Sequence, residues 1–521
     1  MASHFIPICG FVRTMRKTTL FALGTLCLAF FAAHTQAQNP PAGAALRLGL
    51  GHNGTEPNDF IAQPTFSPTG RFVAFSSRAT NLLPGMPPQS GGPETNYMQW
   101  YLYDRATQVL DRVSVSSQGL TQNGPLDLDP VFAAYVTGNI DITADGRFVV
   151  FDSPATNLVP NDNNNAWDIF LFDRLNRTIE LVSIDQSGLQ DSRDSKNPMF
   201  VNYQTREIAY QRLNQNEFHR NFTIKNRVTG NLRDLQLLQK NTEVLALSRD
   251  AAFGACIADS SDTVPSSAPI KYAARCDFST GTLIPIGIDN SGNFLSSEAN
   301  QISADGNTVV VGGNFAGLLR NNIVVWQATT GLLRLVSKSN NGRPSFATRR
   351  AGVNVSAHGR YVAWYEDDAF LGPRQPLPAE AFVYAMYIHD LQTDYTYNAA
   401  MDLDGTFGGY IGVGEAPPSP SPNSISTNTT LNPNCPTLSA DGRSLGFVSL
   451  WHRWVPGDTG IVTGSRPPRR YLDAFVAPLN LPADTGVVIQ PIPVPMLAPK
   501  MVLALMVLLV GAGWVVLRMR E

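Results

Sequence analysis

Seven stretches of this chain repeat one design: a small polar turn feeding a strand rich in aromatic and β-branched residues. They read Ser67-Pro-Thr-Gly-Arg-Phe-Val-Ala-Phe75, Thr143-Ala-Asp-Gly-Arg-Phe-Val-Val-Phe151, Asn202-Tyr-Gln-Thr-Arg-Glu-Ile-Ala-Tyr210 and Ser248-Arg-Asp-Ala-Ala-Phe-Gly-Ala-Cys256. Three more follow: Ser303-Ala-Asp-Gly-Asn-Thr-Val-Val-Val311, Ser356-Ala-His-Gly-Arg-Tyr-Val-Ala-Trp364 and Ser439-Ala-Asp-Gly-Arg-Ser-Leu-Gly-Phe447. Asp-Gly between apolar runs signals a tight hairpin, because glycine takes a positive φ without steric cost. A short strand precedes each turn. Two more follow most of them, as in Trp100–Arg105 and Leu110–Val115, or Asp168–Arg174 and Ile179–Ile184. Four short strands in a unit of about forty to fifty residues make a propeller blade, so seven units predict an all-β, seven-bladed propeller over residues 45–480. High Gly (42) and Pro (37) with 16% charged residues suit this turn-rich class.

The last unit tests closure. Its third strand, Asp473–Pro478, is followed by a Pro-rich stretch with no fourth strand. Ala45–Leu50, with His52-Asn53-Gly54 behind it, matches the fourth strand and exit of other units, such as Leu335–Gly342. The N-terminal strand is therefore expected to complete blade seven and leave no unpaired edge.

The turn-and-strand pattern resembles TolB-like propeller repeats over roughly residues 45–480. Some members of that family carry Asn-Leu-Val-Pro-Gly-Asp-Thr-Asn between the repeated motif and the strand that follows it. Asn157–Asp162 and Trp454–Thr459 are similar to it, and Asn81–Gly85 in part. Blades three to five lack the loop, so no shared ligand follows from the resemblance.

Both ends read as targeting segments. Arg13, Arg16 and Lys17 precede the apolar run Thr19–Ala33, and Thr35-Gln36-Ala37 supplies a small-x-small cleavage site. Residues 1–37 are thus expected to be a secretory signal peptide, with an uncleaved anchor as the alternative. Residues 481–495 read as a Pro-rich linker, and 496–521 as a membrane anchor. Met501–Leu517 is uniformly apolar and, at ~1.5 Å per residue, reaches ~26 Å, with Lys500 and Arg518 placed to snorkel. Arg518 and Arg520 would set the C-terminus in the cytoplasm and the body on the periplasmic or outer side. Val494, Pro495 and Leu497, ahead of the span, resemble the IPTL-type sorting signals of Gram-negative bacteria. That resemblance implies an exosortase-type processing enzyme as a partner. Met496 stands where Thr is usual, and Ala498-Pro499-Lys500 replaces the common Ser-Glu-Trp.

The chain's formal charge of −3 combines +3 in residues 1–37 and +2 from Met496 onward with −8 between them. A mildly acidic body lacks the basic stripe of a nucleic-acid binder.

Asp162, Asn164 and Asp168 place oxygen atoms at nearby positions of one loop, the donor type a hard cation such as Ca²⁺ takes. Asp458 and Asp473 look like a degraded copy. Asx-rich turns also form unaided, because their side chains bond nearby backbone N–H groups, so a structural turn is the plainer account. Cys256 and Cys276 fall on core positions of neighbouring strands in blade four, and Cys435 is the odd one. Export allows a bridge, and two buried thiols are the alternative. His358 replaces the turn Asp and reads as an exposed loop residue. Trp451, His452, Arg453 and Trp454 form an aromatic-basic cluster, read as inter-blade packing or a stacking patch for glycan or peptide. Insertions at Pro84–Gln99, Gly119–Gly138 and Thr406–Pro436 are the long loops on which function commonly sits.

There is no Gly-x-Ser-x-Gly elbow, His-Glu-x-x-His pair or Walker loop. The expectation is a non-catalytic, envelope- or surface-anchored propeller that binds a protein or glycan. The alternative is a propeller hydrolase or lyase acting on extracellular polymers.

Overall fold

The computed structural model describes residues 45–59, 61–84, 98–124, 139–213, 221–237, 242–260, 270–286, 297–313, 322–345, 350–366, 381–399, 411–415, 436–449 and 473–485. Their strands form seven antiparallel sheets. Blade one is Ile61–Phe66, Phe72–Ser77, Gln99–Asp104 and Val109–Arg112. Blade two is Ile140–Ile142, Phe148–Ser153, Asp168–Asp173 and Thr178–Leu181. Blade three is Asp194–Phe200, Glu207–Leu213, Asn221–Asn226 and Leu232–Asp234. Blade four is Thr242–Leu247, Phe253–Asp259, Lys271–Asp277 and Thr282–Pro285. Blade five is Ser297–Ile302, Thr308–Gly313, Asn322–Gln327 and Leu333–Leu335. Blade six is Arg350–Val355, Tyr361–Glu366, Ala381–Asp390 and Tyr395–Asn398, with Ile411–Glu415 pairing beside Ala381–Tyr384.

Blade seven is built from both ends of the body. Thr437–Leu438, Ser444–Ser449 and Asp473–Pro478 receive Leu46–Arg47 as the outermost strand, with Leu46 opposite Val476 and Arg47 opposite Phe475. The first strand of blade one then packs on the three other strands of blade seven, and successive blades contact one another around the ring. The chain is an all-β, seven-bladed propeller, closed as its sequence predicts.

Each blade hides its faces against its neighbours. Between blades one and two, Phe72, Trp100 and Val113 meet Ile142, Val149 and Phe151, all buried. Burial of such side chains contributes about 1.5–3 kcal/mol each, which a lone four-stranded sheet cannot gain on both faces. Within blades one, two, six and seven, an aromatic pair spans the second and third strands: Phe75–Tyr101, Phe151–Phe170, Trp364–Tyr387 and Phe447–Phe475, at 5.4–5.9 Å. In the innermost strands of blades one, three, four, five and six the register shifts within the strand, a local bulge that adds twist.

The connectivity gives the ring two different faces. First-to-second and third-to-fourth turns lie on one, the turn face. Second-to-third connections and crossings between blades attach on the other. Leu46–Arg47 starts on the turn face, and Asp473–Pro478 ends on it.

The body also runs past the expected boundary at 480. Leu479 and Leu481 are buried, Leu479 N–H donates to Arg443 O at 2.7 Å, and Asp484 N–H donates to Asp441 O at 2.8 Å. Residues 481–485 are thus strapped across blades six and seven rather than forming the start of a linker. Burial of Leu481 and the Asp484 hydrogen bonds are the reason.

The expected signal peptide (1–37), most of the linker, the sorting signal at Val494, Pro495 and Leu497, and the anchor (496–521) lie outside the described residues. So do Cys435, Asp458 and the Trp451–Trp454 cluster. Among the described residues no helix is long and apolar enough to cross a membrane.

Candidate functional site

The repeat motif itself is structural, and its parts can be assigned one by one. The turn Ser or Thr hydroxyl donates to the turn Asp at 2.6 Å in Thr143–Asp145, Ser248–Asp250, Ser303–Asp305 and Ser439–Asp441. The same Asp oxygen accepts the backbone N–H two residues on, at 3.0–3.1 Å. The following glycine presses on the preceding blade. At Gly146 (φ +66) a Cβ would stand 2.5 Å from the Phe72 ring, and at Gly442 (φ +70) 2.3 Å from that of Tyr361. The Arg then closes a fork on the Asp ending the third strand: Arg71–Asp104, Arg147–Asp173 and Arg360–Asp390, at 2.7–3.1 Å. This guanidinium holds Asp104 well below the usual carboxylate range.

Blade six lacks the turn Asp, and the sequence reading missed what replaces it. Asp484, from the strap, accepts the Ser356 hydroxyl at 2.7 Å and the His358 N–H at 2.9 Å through Oδ2. His358 stays exposed, its Nδ1 3.9 Å from Asp484 Oδ1. The signal was present: a histidine at a repeat position that needs a carboxylate asks for one from elsewhere.

The Asn-Leu-Val-Pro loop is likewise a clasp. Asn157 accepts the Asn123 N–H at 3.0 Å and donates to Thr121 O at 2.8 Å; Asn81 does the same with Asn58 and Glu56 at 3.0 and 2.7 Å. In blade two this clasp leads into the loop singled out for its oxygen atoms. Asp168 opens the third strand, fully buried. Its carboxylate accepts the Ser183 hydroxyl and, at 2.8 Å, the Asn164 side-chain N–H. Asn164 also donates to Asp191 O at 2.8 Å, so its amide nitrogen, not its oxygen, faces Asp168.

Asp162 is 9% exposed, and its Oδ1 has no hydrogen-bond partner among the described residues. Burial, then the Asp168 charge, pushes Asp162 up to about 6. Burial pushes Asp168 up to about 6 as well, against its two donors and with help from the charges of Asp191 and Asp194. Thus Asp162, Asn164 and Asp168 come together, with Ser183 added. Asp473 stands apart in blade seven, bound by Arg47 at 2.6 Å. Among the described residues no three His, Cys, Asp or Glu side chains form a group able to hold a metal.

Cys256 and Cys276 are joined by a disulfide with Cα atoms 6.1 Å apart, both fully buried. Cys256 takes the place of Phe151, opposite the small Ala274, and Cys276 takes that of Phe172, opposite Gly254, so the bridge runs diagonally between the two strands. Other buried carboxylates act as inter-blade ties. Asp152 accepts backbone N–H groups of Asn139 and Asn197 at 2.7 and 2.9 Å, and burial pushes it up to about 6. Asp141 accepts from Phe200 N–H at 2.8 Å and pairs with Arg249.

No family model and no curated protein matches the chain. Among solved structures it is similar to an oligogalacturonate lyase in complex with manganese, at 11% identity and a TM-score of 0.45, covering 85% of this chain and 95% of that one. It is also similar to TolB from Acinetobacter baumannii, at 12% identity and a TM-score of 0.33, covering 81% and 79%. The β-propeller domain of the Trilobed protease from Pyrococcus furiosus follows at 11% identity and a TM-score of 0.41, covering 67% and 83%. Likeness at this level says nothing of ligand or chemistry.

Proposed function

We propose that the chain is a non-catalytic, envelope- or surface-anchored propeller that binds a protein or glycan partner on the face opposite its turns. One observation carries this reading: the described body is entered and left on the same face. Leu46–Arg47 begins on the turn face, and the strap through Asp484 is fastened there by Ser356, His358 and Asp441. An anchor following that strap leaves the other face turned outward. All second-to-third strand connections and blade crossings attach there, which is where a rigid scaffold displays recognition loops. The buried carboxylates of the turn face are committed to guanidinium and backbone donors, which suits a scaffold.

The test immobilises the exported chain through its C-terminal side and screens glycan arrays and envelope extract. Thr55→Arg and Thr156→Arg, on the outward face, are expected to weaken a captured partner at least tenfold. Leu175→Arg and Val228→Arg, on the turn face, should leave it unchanged. Shortening of an offered polymer, read by mass spectrometry, would instead establish the hydrolase or lyase alternative.

A further inference from the structure

The first residue of the third strand can be compared across four blades. Gln99, Asp168, Asn322 and Asp473 occupy it in blades one, two, five and seven. The backbone around it is the same in each. Val113, Val182, Val336 and Leu48 donate their N–H to the carbonyl of the next residue along, Trp100, Ile169, Ile323 and Ala474, at 2.7–2.9 Å.

In blades one and five the side chain is a neutral amide that accepts a serine hydroxyl, Ser114 at 3.0 Å and Ser337 at 3.1 Å. In blade seven it is a carboxylate, and a guanidinium stands on it: Arg47 lies 2.6 Å from Asp473. Blade two keeps the carboxylate and the serine, and among the described residues no cation pairs with it. Asp168 meets only Ser183 and Asn164, both neutral, and beside it lies Asp162 with a buried, unpartnered Oδ1.

The nearby cations are engaged elsewhere. Arg193 and Arg212 both bind Asp191, at 2.8 and 2.5 Å, and Lys196 lies over the Trp167 ring at 3.9 Å. Asp194 accepts the Trp167 N–H at 3.0 Å. Two neighbouring buried carboxylates without a counter-charge are strongly unfavourable.

We propose that the 161–168 loop binds a divalent cation of the Ca²⁺ class between Asp162 and Asp168, in the role that Arg47 fills in blade seven. Carboxylate oxygens are the donors such a hard cation selects. With only two carboxylates, neutral oxygens and water must complete the shell, which places the dissociation constant on the order of 10⁻⁴–10⁻³ M. The inference stands apart from the binding reading above, since it concerns a structural ion whatever the partner.

The experiment titrates the full chain with Ca²⁺ alone, following the thermal midpoint against a chelator control, and Tb³⁺ luminescence excited through Trp167. The midpoint should rise by several degrees, saturating in the millimolar range. Tb³⁺ emission should appear and be displaced by Ca²⁺. Asp168→Asn reproduces the amide of blade five and should fold; it and Asp162→Asn should each abolish both responses. Trp167→Phe should lose the emission but keep the midpoint shift. No shift up to about 10 mM Ca²⁺, the signature of a proton shared between the two carboxyls instead, would overturn the proposal. So would shifts that survive in both Asn variants.

Discussion

Asp484 acts on a turn 128 residues before it in the sequence. It supplies the carboxylate that the turn of blade six lacks, so Asp484→Ala should cost about 1–2 kcal/mol, the usual loss for a cap-like acceptor of hydroxyl and N–H donors. Urea unfolding at neutral pH measures it, and His358→Asp in the same background should restore part of the loss by rebuilding the local turn. Asp152 makes a pH-dependent prediction. Burial raises its pKa in the fold to about 6, so its contribution is full below the ordinary carboxylate range and declines as pH rises through about 6. The destabilisation caused by Asp152→Asn should therefore shrink between about pH 5 and pH 7.5. A loss that grew over that interval would contradict the assignment. Asp104 behaves oppositely. Arg71 lowers its pKa, so its stabilisation is present at neutral pH and fades as pH falls through the acid range.

At the scale of elements, most of the architecture was legible because one motif encodes several interactions at once. Ser and Asp close the turn, Gly lets it press on the previous blade, and Arg fixes the third strand. Only a repeated fold needs all of these at one spacing. What stayed hidden depends on partners distant in sequence. The strap past 480 looked like linker because its prolines mark an irregular chain, and nothing local says that Leu481 finds a buried site. The Asn164 amide reads as a ligand by spacing, yet the Asp191 carbonyl turns its nitrogen inward. Arg47 belongs to the same class. Its pairing with Asp473, across the length of the chain, is invisible until the N-terminal strand is laid on blade seven. Arg47→Ala should be expensive, about 3–5 kcal/mol, because it strands a buried carboxylate. The blade-four disulfide should contribute about 2–4 kcal/mol, read as the drop in unfolding midpoint of Cys256→Ala with Cys276→Ala.

For the whole molecule, closure is what turns seven marginal sheets into one body. Each blade buries its faces on two neighbours, so an opened ring exposes two apolar faces together, those of blades one and seven. The same closure sets the polarity on which the functional reading depends, because it holds entry and exit on the turn face and leaves the opposite face to the connections. Hydrogen exchange on the chain lacking residues 45–50 tests this most directly. The closed-ring account predicts that protection falls along Asp473–Pro478 and Ile61–Phe66 together, with a lower midpoint for the entire body in a single transition. Unchanged protection in both strands after the deletion would contradict it.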